Sequence, residues 1–182
     1  MSLSQLPSVN DLVPLKPHPA PTLHWINLPP GATWPKLRES ASPDSPTEPL
    51  EEFETAVWEA ERRLWVLDLH FDFWCGLAPI IDALTATPLH FQVRILSGRK
   101  EREEICRGLQ ERSSELERKI EFRILERDVV HDRFALVDDD LWHFGSTVGG
   151  GHHLLSAASR GWYERGFELQ QVFDNVWKRA SR

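Results

Sequence analysis

Residues 131–146 read His-Asp-Arg-Phe-Ala-Leu-Val-Asp-Asp-Asp-Leu-Trp-His-Phe-Gly-Ser, and their types and spacing suit phosphoryl transfer. His131 and Arg133 stand two residues apart, which in a β-strand puts both side chains on one face. A neutral imidazole is a competent nucleophile near pH 7, and a guanidinium can hold phosphate oxygens through paired donors. A carboxylate, Asp138, follows the apolar run 134–137, and the pair Gly145-Ser146 follows a second run. A lone histidine beside an apolar strand is more often a satisfied core group than a catalyst. Four elements at fixed spacing over one short stretch are a much stronger signal.

The rest of the chain must hold these groups in place. Its 182 residues fit one domain with a tail. A hydrophobic content of 41% and eight Trp residues supply a proper core and exclude a disordered protein. The net charge of −7 counts against a protein that coats nucleic acid, which is usually basic. A local cluster exists, with Arg99, Lys100, Arg102 and Arg107 continuing to Arg118, Lys119 and Arg123. Glutamates at 101, 103, 104, 111, 115 and 117 are interleaved with it, so it reads first as a solvated helix of alternating charge. Cys75 and Cys106 form no metal-ligand spacing and read as reduced thiols. No apolar run approaches the roughly 20 residues that span a bilayer, and the N-terminus lacks a basic region followed by an apolar block. The expectation is a cytoplasmic protein with no membrane partner.

Eleven of the thirteen prolines fall within the first fifty residues, which forbids a regular helix or central strand there. Residues 1–49 therefore read as a Pro-rich tail, arm and hinge, and 50–182 as the folded domain. Leu23, Trp25, Ile26, Leu28 and Trp34 make 22–40 too apolar for a linker, so this arm is expected to pack on its own domain or on a partner protein. Thr47 is a plausible helix cap at the end of the hinge. Beyond it, helical spacing predicts a helix over 50–63, and Leu64–Phe71 is an apolar run of strand length covered on both faces. A helix over 76–86, a strand over 91–96, a charged helix over 100–118 and a strand over 120–125 follow. Strands over 129–137 and 141–144 join at Asp138-Asp-Asp. A closing helix over 163–179 carries Phe167, Leu169, Val172, Phe173, Val176 and Trp177 as its packing stripe. Such alternation predicts an α/β fold, a mixed sheet flanked by helices.

The spacing from His131 to Ser146 resembles the H-x-K-x4-D-x6-G-S signature of the phospholipase D superfamily, with Arg133 in the lysine position. The resemblance extends over about 50–180, where Trp65–Asp72 is similar to the first strand of such domains and Phe91–Leu96 to the second. It implies a phospholipase D-like half and a phosphodiesterase that forms a phosphohistidine, with no metal and no cofactor. By the same resemblance His131 is the nucleophile or acid, Arg133 the phosphate clamp and Asp138 the partner that orients the histidine. Ser146 donates to a phosphate oxygen from the Gly145-Ser146 turn. One motif is present where two are needed, which implies a homodimer with two copies of His131 across one phosphorus, or a heterodimer with a related chain. Two departures stand out. Arginine replaces lysine, and Val148 occupies the position where the family often has asparagine.

The loop Gly149-Gly-Gly-His152-His153 permits close backbone approach to a ligand and reads as a flexible rim, with His152 facing substrate. Adjacent histidines seldom chelate one ion, so no metal site is assigned despite His143 nearby. Arg160 and Trp162 offer a cation and an aromatic that could flank a nucleic-acid strand. The leading expectation is a nuclease-like phosphodiesterase, with a setting in bacterial defence or a mobile element. A catalytically impaired dimerisation module that captures a partner through residues 22–40 is the alternative. A hydrolase of small phosphodiesters is a third reading.

Overall fold

The computed structural model describes residues 20–26, 28, 50–86, 92–112, 116, 119–125, 130–152 and 155–181. The elements run β1 (Thr22–Ile26), α1 (Glu51–Trp58), β2 (Arg63–Leu67), one π-helical stretch (Phe73–Leu77), α2 (Ala78–Ala86), β3 (Gln92–Ser97) and α3 (Arg99–Arg112). They continue with β4 (Ile120–Ile124), β5 (Arg133–Val137), β6 (Asp140–Phe144), β7 (Ser156–Arg160) and α4 (Tyr163–Arg179). The seven strands form one mixed sheet in the order β1-β7-β6-β5-β2-β3-β4. β2, β3 and β4 are mutually parallel, whereas β5, β6, β7 and β1 pair antiparallel. This is the α/β architecture that the alternation of segments predicts.

β2 lies between β3 and β5 and is buried on both faces from Leu64 to Leu67, which explains its unbroken apolar run. Leu64 and Val66 face a core built with Phe53 and Val57 of α1, Ile80 and Leu84 of α2, and Ile105 and Leu109 of α3. Trp65 and Leu67 face the other layer, where Leu169, Phe173 and Trp177 of α4 close the sheet. Trp65 stacks on Phe173 at 4.8 Å between centroids, and Arg94 lies over both Trp65 and Trp177 at 5.4 and 5.0 Å. Gly108 of α3 allows a close approach, because a Cβ there would stand 2.4 Å from the Phe73 ring.

Several sequence expectations are corrected. Phe167 and Val172 of the α4 stripe are 65% and 49% exposed, because at about 3.6 residues per turn they sit off the face defined by 169, 173 and 177. Trp58 of α1, which the helical spacing over 50–63 would place on the apolar face with Phe53 and Val57, is exposed as well. α1 starts at Glu51 with Leu50 in the cap position and no side-chain cap. Thr47, the hinge and most of the arm lie outside the described residues. The arm's first five residues are a strand: β1 pairs along its whole length with β7, from Thr22 opposite Arg160 to Ile26 opposite Ser156. β7, Ser-Ala-Ala-Ser-Arg, carries no β-branched or large apolar residue. It is held as a strand by β6 and β1 on its two sides rather than by propensity.

The β5–β6 turn supplies the largest correction. Asp138 adopts φ 53°, a left-handed conformation that Asp tolerates better than most residues. Its carboxylate accepts from the backbone N–H groups of Glu61, Arg62 and Arg63 at 3.1, 2.7 and 3.0 Å, and its carbonyl accepts from Arg63 Nε at 2.9 Å. Asp138 thus ties the turn to the start of β2, at the end of β5 remote from His131. Asp139 beside it pairs with Arg62 and Arg63, and the Arg62 hydrogen bond holds its carboxyl below the usual range. Asp138→Ala leaves three amides without their acceptor. It is expected to lower the unfolding free energy by about 1–3 kcal/mol, read as a shifted midpoint in urea at unchanged slope. An unshifted midpoint would show that water replaces the carboxylate at no loss.

Candidate functional site

The strand registers decide which side chains can meet. Leu67 pairs with Phe134, and Arg133 pairs with Phe144. One end of the sheet therefore gathers Asp68 after β2, His131 and Arg133 at the start of β5, Gly145–Val148 after β6 and Ser156 at the start of β7. A five-residue strand is about 17 Å long, so Asp138, at the other end of β5, does not reach His131. The registers place three of the four elements at one end of the sheet and the fourth at the other.

His131 precedes β5 rather than lying within it, so the strand does not impose the shared face expected with Arg133. Its side chain is 98% exposed and its Nδ1 stands 3.4 Å from Asp132 Oδ1. Arg133 is only 25% exposed and bends toward the protein. Its Nε lies 3.7 Å from Asp68 Oδ1, and its Nη1 donates over 3.4 Å to the carbonyl of Gly145. Ser146 is buried, with its Oγ 3.0 Å from Ser156 Oγ, and the Gly145 N–H donates to the carbonyl of Ala157 at 2.9 Å. An imidazole, a guanidinium and a hydroxyl thus share one end of the sheet.

Asp68 is the residue that sequence reasoning placed in a strand and did not assign to the site. It has no exposed surface. Its Oδ2 accepts from Thr147 Oγ1 and from the Val148 N–H, both at 2.9 Å, and its Oδ1 accepts from the His70 N–H at 2.8 Å. Burial pushes its carboxyl above the ordinary range, against the hydrogen bonds and Arg133, which favour the charged form. The available signal was a carboxylate inside the apolar run 64–71, since a charge there is tolerated only with partners.

The proposed substrate contacts are redistributed. Arg160 donates through Nε and Nη2 to Asp140 Oδ2 at 3.0 and 2.9 Å and lies 4.6 Å from the Trp142 ring centroid. Trp162 donates through Nε1 to Ser159 Oγ at 3.1 Å. Both sit at the Asp138 end, because β7 runs antiparallel to β6 and emerges there. A cavity of about 560 Å³ at that end is lined by Arg62, Asp139, Asp140 and Arg160, whose charges are already paired with one another. The glycine loop is a packed turn, not a loose rim. Gly149 and Gly150 have φ 93° and 79°, and the Leu50 N–H donates to the Gly149 carbonyl at 3.0 Å. A Cβ on Gly150 would stand 2.9 Å from Ile26, so this glycine accommodates the chain's own β1. His152 is half-buried and its N–H donates to the Gly150 carbonyl at 2.7 Å, while His153 lies outside the described residues.

No family model and no curated protein matches the sequence. Solved structures match the fold. NucT from Helicobacter pylori superposes with a TM-score of 0.58 at 8% identity, over 88% of this chain and 98% of that one. Nuc from Salmonella typhimurium, a phospholipase D family member, gives 0.54 at 12% identity, over 88% and 96%. TrmBL2, an archaeal chromatin protein, gives 0.55 at 12% identity over 95% of this chain, which spans only 56% of that protein. With its mixed sheet and flanking helices, the chain has the fold of the phospholipase D superfamily.

Proposed function

We propose that this chain is a phosphodiesterase acting on nucleic acid through a phosphohistidine. The observation that carries the reading is the placement of His131, Arg133 and Ser146 at one end of the sheet, in a fold shared with Nuc and NucT. TrmBL2, whose structure shows a novel mode of DNA binding, adds a nucleic-acid neighbour.

In this mechanism the imidazole of His131 attacks phosphorus and the bond to the leaving oxygen breaks. A second imidazole, His131 of another copy of the chain, gives its proton to that oxygen. Water then attacks the phosphohistidine, returns a proton to the second imidazole and frees His131. Arg133 neutralises charge on the non-bridging oxygens, and the Ser146 hydroxyl can turn from Ser156 to donate to one of them. The exposure of His131 suits a group that reaches across a two-fold axis. The orienting carboxylate is not Asp138, and the positions of Arg160 and Trp162 leave substrate contacts beyond the phosphate unassigned. No helix among the described residues is long and apolar enough to cross a membrane. A cytoplasmic role in defence or a mobile element is part of the reading.

One observation favours the second reading, a partner-binding module. Leu23 and Trp25 on the edge strand β1 are 59% and 57% exposed.

Wild-type protein is expected to cleave single-stranded DNA or RNA in EDTA, and His131→Ala to lose at least roughly 10³-fold in rate. Equal cleavage by both would remove His131 from the chemistry. No cleavage by folded wild type would favour the partner-binding module. Arg133→Ala should lower kcat/KM by about 10²–10³-fold, with Arg133→Lys falling between. Sedimentation should show a dimer in the active fraction, and cleavage by a demonstrable monomer would exclude the two-histidine scheme.

A further inference from the structure

Arg133 is incompletely satisfied in a way that points to Asp68. Its Nε is buried and has no hydrogen-bond partner among the described residues, and 3.7 Å to Asp68 Oδ1 is too long for a hydrogen bond but within the range of an ion pair. Among the described residues its guanidinium makes one hydrogen bond, the long one to the Gly145 carbonyl. A half-buried guanidinium with unused donors is held by charge and remains able to donate to an incoming oxyanion. The carboxylate that holds it is itself fixed by three donors on two other segments, the turn at His70 and the loop at Thr147-Val148.

Resting on the phosphodiesterase reading, we propose that Asp68 is the positioning residue for phosphate recognition. It orients Arg133 toward the phosphate and locks the Gly145–Val148 loop, which carries Ser146, into the same frame. Asp68 does not touch substrate. The two oxygens divide the work. Oδ2 binds the loop through Thr147 and Val148, whereas Oδ1 meets the His70 N–H and Arg133.

Asp68→Asn separates these roles. The amide oxygen can keep the two loop donors, and the NH₂ then faces Arg133 and the His70 N–H as a donor against donors. The full chain is titrated calorimetrically with inorganic phosphate. Asp68→Asn is expected to bind phosphate roughly tenfold more weakly than wild type, because a misaligned clamp loses its paired contacts. Removing a nearby negative charge without any positioning effect predicts the opposite sign, so unchanged or tighter binding overturns the proposal. A Thr147→Val variant weakens the loop alone. If, at the same loss of thermal midpoint, it weakens phosphate binding as much as Asp68→Asn, Asp68 is merely structural and the proposal falls. If wild type binds no phosphate, the phosphodiesterase reading fails first, and the nitrogen resonance of Arg133 Nε decides the rest. Slow exchange of that N–H in wild type, lost in Asp68→Asn, supports the positioning role without any ligand. An identical resonance in both proteins overturns it.

Discussion

A carboxylate with no exposed surface must find donors, and Asp68 finds them on segments far apart in the chain. Its Oδ2 replaces water for the amide of Val148 and the hydroxyl of Thr147, so the loop after β6 is placed by β2, two strands away in the sheet. Arg133, on the intervening strand, is drawn inward to the same charge. Transferring a carboxylate from water is unfavourable, and burial accordingly raises its proton affinity. The sheet's two faces are closed by ordinary apolar packing. The end where they meet the chemistry is organised around one polar group.

The two ends of the sheet divide the polar residues by task. At one end, Asp138, Asp139, Asp140, Arg62, Arg63 and Arg160 satisfy each other and the first amides of β2. At the other end His131 is fully exposed, and Arg133 keeps donors in reserve. Unused donors beside an exposed imidazole mark a binding site better than charge density does, since the denser charge lies at the self-paired end. The same contrast applies to the cavity flanked by Arg160 and Asp140, whose charges are already paired.

Much of this was legible in residue order. The apolar run at β2, the alternation at β4 and the 169–173–177 spacing of α4 each state their burial directly. The motif spacing brought His131, Arg133 and Ser146 to one end of the sheet, because two short strands and a tight turn leave little freedom between them. It misled at Asp138, where the same carboxylate that suits a catalytic role also suits a left-handed turn bonded to amides 77, 76 and 75 residues away. Contacts of that range leave no local trace. The partners of Asp68 were hidden for the same reason, although its charge within an apolar run was visible, and β7 was hidden because its small residues become a strand only between neighbours.

The pairing of β1 with β7 has a consequence for how the molecule is made. Thr22 and Arg160 face each other, so the outermost strand is synthesised well before its template. At a ribosomal pace of about 5–20 residues per second, β1 waits on the order of ten seconds before the strand it needs exists. During that time Leu23 and Trp25 lie on an unpaired segment, and Ile26 has no turn at Gly150 to pack against. Loop-closure entropy makes such a long-range contact slow to form. The sheet should therefore assemble from β2 outward, and β1 should dock last, on a body whose glycine turn has already formed.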